Sequence, residues 1–280
     1  MPTRHDLGGG VSVFQTPLWQ TNSLLTTAGQ DALLCDPALT PAELEAIVAA
    51  AREQSPARVY LLVTHADYDH VCGIPYLPEA EVVCGPETAA RIADGTASKG
   101  LASGGAEWGV EWPDELRVDR EVAPGSEFTC GSFRVVALNV PSHGREGLAF
   151  ALPDQGVLLV GDNVSPISYP LLGGPLSSAI AATEELLAAI DTWAPQSVVP
   201  GHGRVLSGDE ARRIGEEDLH YLRALEAAAR EAASLGLAPG HALVHVFSVE
   251  PPRPATLAFE IYALRGGNAR RALADAGLSA

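Results

Sequence analysis

Four short segments of the chain hold the residues whose types and spacing could do chemistry. THADYDH (64–70) sets His65, Asp67, Asp69 and His70 directly behind the apolar run VYLLV (59–63). Further along, His143 stands in VPSHGREG (140–147), Asp162 in VLLVGDN (157–163) and His202 in VVPGHG (198–203). Imidazole nitrogens and carboxylate oxygens are the donors that divalent ions such as zinc, manganese and iron accept. Seven of them match two ions, each with three or four protein ligands and room for water, the open coordination of a catalytic site. Two ions about 3.5–4 Å apart would activate a shared water and polarise a carbonyl or phosphoryl oxygen. Each residue alone has a plainer reading: a turn histidine is usually solvated, and Asp69 could simply cap the helix that follows. Four segments in the same context, repeated in order along the chain, outweigh those readings.

The positioning elements are legible around them. VYLLV is apolar without alternation, as a strand buried on both faces should be, so the first segment sits at a strand's carboxyl end, where loops can aim side chains without disturbing a core. Before it, VSVFQT, NSLLTT and ALLCD read as short strands broken by Pro17 and the AGQD turn, and PAELEAIVAAARE (41–53) reads as an amphipathic helix with Pro41 at its first position. EVVC (81–84) is a further strand. Residues 94–117, rich in Gly, Ser and Trp, show little periodicity and are expected to form a long loop, with Trp108 and Trp112 as its hydrophobic anchors. A second strand series follows: EFTC, FRVVALNV, GLAFALP and VLLV. Then come a helix at 183–193, a short strand at 197–200, a long helix at 209–234, and a helical tail at 241–276 broken at EPPRP. No linker divides the chain. One domain over 1–280 is expected, with a core at about 11–206 and a C-terminal helical extension at 207–280.

In this order, HADYDH, SHGREG, GD and PGHG resemble the signature of the metallo-β-lactamase-fold hydrolase superfamily, over roughly residues 11 to 206. The resemblance implies a four-layer αββα sandwich, two sheets back to back with helices outside, here with extra C-terminal helices. It also implies a ligand set: His65, Asp67 and His143 for the first metal; Asp69, His70 and His202 for the second; Asp162 bridging. Asp36, closing ALLCD, falls where relatives carry an aspartate that orients a ligand histidine through its free ring N–H. The activity implied is hydrolysis of a small-molecule ester, thioester, lactone or related carbonyl by metal-bound hydroxide, with Asp69 or Asp162 orienting the water or accepting its proton. Tyr169, and less so Tyr68, are candidate donors to a substrate oxyanion.

The chain departs from the family pattern at one place. The usual second histidine is Asp67, so the motif reads HxDxDH. Two divalent ions, one hydroxide and two carboxylates leave a net positive centre; a third carboxylate leaves it neutral. A neutral centre acidifies its water less, and the oxygen donor moves metal preference from zinc, still the first expectation, toward Fe or Mn. Two other readings therefore stay open: an iron-dependent oxidoreductase or dioxygenase on the same fold, and a ligand-binding or regulatory protein without turnover.

Composition bounds the partners. A formal charge of −17 repels phosphate backbones and anionic membranes, so the expected partner is a small-molecule substrate, with neither nucleic acid nor membrane. The N-terminus MPTRHDLGGG has no apolar core of signal-peptide length, and the expected location is the cytoplasm. Cys35, Cys72, Cys84 and Cys130 are scattered singly and are read as reduced thiols. Oligomeric state, a homodimer included, is left open.

Overall fold

The computed structural model describes residues 1–53, 55–112, 116–141, 146–255 and 261–278, and in residues 107, 108 and 261–264 the backbone alone. Two sheets form the centre. The first has seven strands in sequence order: β1 (Thr3–Gly8), β2 (Val11–Gln15), β3 (Asn22–Ala28), β4 (Asp31–Cys35), β5 (Arg58–Leu62), β6 (Glu81–Cys84) and β7 (Arg120–Glu121). Its pairs are antiparallel up to β4 and parallel from β4 to β7. The second runs β12 (Ser197–Val199), β11 (Val157–Leu159), β10 (Leu148–Leu152), β9 (Phe133–Asn139), β8 (Glu127–Cys130), with only the β11–β12 pair parallel.

Alternation along the strands sorts side chains into layers, because successive residues point to opposite faces. On β4 and β5, Leu33, Cys35, Tyr60 and Leu62 face the second sheet, where they meet Phe133, Val135, Phe150 and Leu159. Their neighbours Ala32, Leu34, Val59 and Leu61 face outward, under Ile47, Val48 and Ala51 of α1 (Pro41–Arg52). On the other side Val136, Leu138, Ala149 and Ala151 face α5 (Leu176–Trp193) and α6 (Gly208–Ser234) through Leu186, Ile190 and Ile214. Helix, sheet, sheet, helix is the expected αββα sandwich. A separate apolar cluster joins α5 and α6 to α7 (Pro239–Phe247) and α8 (Ile261–Asp275), with the expected interruption around EPPRP.

The expected loop at 94–117 is corrected. Residues Thr96–Trp108 form helix α4. Two of its three glycines, which depress intrinsic helicity, allow close approach. A Cβ at Gly104 would lie 2.6 Å from the Tyr68 ring, and one at Gly105 2.3 Å from the Trp112 ring. Packing of a helix face thus overrides propensity. Trp112 is an anchor as expected, its ring edge-on to Tyr76 at 6.0 Å; the side chain of Trp108 lies outside the described residues. Two short elements carried too little pattern to be read from sequence. One is edge strand β1. The other is α3 (Pro86–Ala93), which starts after the N-cap Gly85 with Pro86 in its first turn.

Candidate metal centre

Parallel strand pairs of both sheets end at one place. Asp36 follows β4, Thr64 and His65 follow β5 by one short step, Asp162 follows β11, and His202 follows β12. Asp69 and His70 sit on α2 (Tyr68–Val71), a single turn with Asp67 as its N-cap. The structure thereby brings His65, Asp69, His70, Asp162 and His202 together, with Asp67 alongside. His143, expected beside them, lies outside the described residues.

Hydrogen bonds settle which ring nitrogen faces the centre. Asp36 accepts the Thr64 amide on Oδ1 at 2.9 Å, and the Thr64 hydroxyl and His70 Nδ1 on Oδ2 at 2.6 and 2.9 Å. A carboxylate only accepts, so His70 carries its proton on Nδ1 and turns the Nε2 lone pair inward. Having given its own proton to Asp36, the Thr64 hydroxyl accepts from His65 Nδ1 at 3.0 Å, which turns His65 Nε2 inward as well. His202 Nδ1 donates to the Trp19 carbonyl at 3.0 Å, with the same result.

Those lone pairs meet carboxylate oxygens. His70 Nε2 is 3.1 Å from Asp162 Oδ1 and 3.7 Å from Asp69 Oδ2; His202 Nε2 is 3.4 and 3.3 Å from the same two atoms. The His70 Nε2 atom is buried, and a proton on it would point at Asp162 Oδ1. Lone pair against carboxylate at such distances is repulsive unless a proton or a metal cation lies between them. Donors sharing one tetrahedral ion with bonds near 2.1 Å lie about 3.4 Å apart, and these four atoms match that spacing. His65 Nε2 is more loosely surrounded, 3.9 Å from Asp162 Oδ2 and 3.7 Å from Asp67 Oδ2. Asp162 thus sends one oxygen to each side. Among the described residues, two groups could each converge on an ion: His65, His70 and Asp162, and Asp69, His70 and His202.

The charge balance agrees. Burial lowers the His70 imidazole, but Asp162, Asp69 and Asp36 push it well above its usual value. Burial lowers His202 too, and Asp162 and Asp69 push it up to about 10. Burial raises Asp69, while the His70 and His202 rings pull it below the usual carboxylate range. The cluster holds an excess of negative charge that a divalent cation would neutralise.

Residues without a strand-end signature complete the surroundings. Arg91 of α3 reaches Asp67 Oδ1 with Nη1 and Nη2, both at 3.3 Å, and donates through Nη1 to Glu146 Oε1. Glu146 is buried and accepts the Ala66 amide at 3.3 Å. Nothing in PETAARIA pointed to Arg91. Glu146 also borders a cavity of about 720 Å³ lined by Thr88, Asn139, Leu148, Ser178 and Arg271, within the size range of small-molecule pockets. The two tyrosines lie in packing clusters. Tyr68 stacks edge-on with Trp19 at 5.6 Å, and Tyr169 is buried against Tyr221 at 5.7 Å. No helix among the described residues is long and apolar enough to cross a membrane.

Comparison with known proteins adds an independent finding. Residues 16–241 match the family model described as the metallo-beta-lactamase superfamily. The hydroxyacylglutathione hydrolase of Brucella ovis is 29% identical over 146 residues, which is 51% of this chain and 48% of that protein. The chain spans about half the length of the curated relatives it matches. Among solved structures, the metallo-beta-lactamase from Pontibacter korlensis superposes with a TM-score of 0.61 at 17% identity, over 80% of this chain and 99% of that one. The stereoselective inverting sec-alkylsulfatase Pisa1 from Pseudomonas sp. superposes with a TM-score of 0.72 at 14% identity, over 98% of this chain and 50% of that one. At these identities the structural likeness is one of fold.

Proposed function

The chain belongs to the metallo-beta-lactamase superfamily, and from that premise we propose that it is a divalent-metal hydrolase acting on a small-molecule ester, thioester or lactone, with a thioester as the leading substrate class. The observation that carries the reading is the convergence of two imidazole Nε2 atoms and two carboxylate oxygens at 3.1–3.7 Å, a donor set that would hold a divalent cation once its protons are displaced. The relatives named hydroxyacylglutathione hydrolase support the thioester.

In this reading Asp69, His70 and His202 would hold one ion and His65, Asp67 and His143 a second, with one oxygen of Asp162 available to each. Zinc suits the nitrogen and oxygen donors, and the carboxylate of Asp67 brings manganese and iron within reach. Bound there, divalent ions supply an acidified water and a Lewis acid for the substrate carbonyl. The residues do the rest. Asp36 and Thr64 fix the tautomers of His65 and His70, so neither ring can turn its N–H toward the ion. Asp69, whose Oδ2 lies beside both His70 and His202, or Asp162 would orient the attacking water or accept its proton. The cavity beside Glu146 receives the acyl or thiol portion of the substrate. The intended compartment is the cytoplasm.

The test is elemental analysis of purified protein, followed by a panel of esters, S-hydroxyacylglutathiones, lactones, β-lactams and phosphodiesters. Bound divalent metal, hydrolysis of a thioester or carboxylic ester without oxygen uptake, and loss of that activity in His202→Ala are expected. Metal-replete wild type that cleaves no member of the panel, or a His202→Ala variant as active as wild type, would sink the reading.

A further inference from the structure

Asp67 divides its carboxylate between two demands. Oδ1 lies 3.3 Å from both terminal nitrogens of Arg91, while Oδ2 lies 3.7 Å from His65 Nε2. The guanidinium is not free to leave. Its Nη1 also donates to Glu146, and Glu146 is fixed in turn by the Ala66 amide, inside the same motif loop. Arg91 thus stands in a carboxylate cradle, less than a third exposed, against the side of the centre where His65 is found.

The two sides of the centre are unequal in another respect. Around Asp69, His70, His202 and Asp162 the donor atoms lie 3.1–3.7 Å apart. Around His65 the carboxylate oxygens of the described residues lie 3.7 and 3.9 Å away. Among the described residues, Asp67 belongs to neither of the groups that can converge on one ion.

We propose that Arg91 competes with a metal ion for Asp67, so that the centre is asymmetric: one divalent ion held tightly by Asp69, His70, His202 and Asp162, and a second, at His65 and Asp67, held weakly and exchangeably. A guanidinium against a ligand oxygen opposes a cation twice. It occupies one oxygen of the carboxylate, and its own charge repels the incoming ion. Arg91 acts through Asp67 and is therefore a positioning residue. Partners of this kind change metal affinity by about 10–100-fold, and here the sign is reversed, because removing the partner removes a competitor.

The inference rests on the metal-centre reading above, and its test separates the two. Metal-stripped full-length protein is titrated with cobalt(II), read by visible absorption, and with zinc against a chromophoric chelator. Wild type should bind in two separated steps. Arg91→Met should strengthen the second step at least tenfold, with its cobalt spectrum appearing at lower total metal, and leave the first step unchanged. Arg91→Lys, which keeps a cation at this place, should stay near wild type. Because Arg91→Met strands the buried Glu146, the double variant Arg91→Met/Glu146→Gln is measured beside it and should show the same gain. Two equally tight steps in wild type, or a second step that Arg91→Met and the double variant leave unchanged or weaker, would overturn the competition. No metal bound by wild type at all would overturn the metal-centre reading itself.

Discussion

Adding a single methyl group at Gly201 tests how closely the centre is assembled. The backbone there is not left-handed, so glycine is required by space and not by conformation. A Cβ would lie 2.2 Å from Asp162 Oδ1, 3.0 Å from His70 Cε1 and 3.2 Å from the Gly161 carbonyl carbon. Ordinary contact begins at 3.4 Å, so Asp162 Oδ1 must retreat by about 1.2 Å unless the loop yields. The loop is pinned: the Gly201 amide donates to Gly161 O at 2.6 Å, and its carbonyl accepts the Asn22 amide at 2.7 Å. The carboxylate is the softer group and should turn away, at a stability cost of about 1 kcal/mol, the low end for overpacking. A 1.2 Å retreat takes Asp162 Oδ1 out of register with His70 and His202. Metal affinity of Gly201→Ala should fall by about 100-fold, and kcat/KM on any substrate found should fall by about 100-fold as well. Chelator competition reads the first, and thermal unfolding of the metal-free protein confirms that the fold survives. A Gly201→Ala variant binding metal within threefold of wild type would show that the spacing around Asp162 is not what holds the ion.

Three further outcomes follow from the same geometry. Asp36→Asn is isosteric, but its amide would donate to His70 Nδ1 and force the proton onto Nε2, so metal affinity should drop by about 10–100-fold; unchanged chelator competition would refute the tautomer argument. In the metal-free protein, His70 and His202 have pKa values raised above that of the unfolded chain, so the stability they contribute is complete below about pH 6.5 and lost as pH rises, for His202 toward about 10. Metal must therefore displace protons at neutral pH. Titration calorimetry in buffers of different ionisation enthalpy should show about two released per ion bound on the His70 side, and none released would contradict the charge balance. Asp31 ties the sheets together, accepting from Arg58 at 2.7 and 2.9 Å and from the Ser132 amide and hydroxyl at 2.8 and 2.7 Å. Burial raises this carboxyl, yet the Arg58 and Ser132 hydrogen bonds hold it below its usual value. Its stabilisation is thus present above pH 3.8 and lost as pH falls through the lowered value. Asp31→Ala should cost about 1–3 kcal/mol at pH 7 in urea unfolding, with a smaller difference in acid.

How far the sequence could be read depended on whether the signal was local. VYLLV announces a strand buried on both faces, and GD and PGHG follow apolar runs short enough to be strands, so the gathering of His65, Asp162 and His202 at strand ends was legible from their neighbours alone. The αββα layering was legible only through the family resemblance that the four motifs carry, with which the two strand series agree. Helix α4 was not, because KGLASGGAEWG is a poor helix by propensity and its stability comes from Tyr68 and Trp112, contacts outside the segment. Arg91 was not, because it sits mid-helix and meets Asp67 and Glu146 only after three distant stretches have packed. The two tyrosines named as oxyanion donors stand near Asp67 and Asp162 in sequence, but where their rings pack, against Trp19 and Tyr221, depends on distant segments that no local pattern announces.

The Asp36–Thr64 pair has a mechanical meaning. The β4–β5 ladder ends with Cys35 opposite Leu62, and the Asp36 amide extends it by one more bond to Leu62 O at 3.2 Å. The carboxylate and hydroxyl that orient two imidazoles are therefore mounted just past the last rung of a parallel pair at the middle of a seven-stranded sheet. Ring orientation inherits the stiffness of that ladder. Turning either ring costs one hydrogen bond, His65 to Thr64 or His70 to Asp36, whereas displacing Thr64 and Asp36 themselves means prising apart two buried strands, an opening of the slow, near-global class.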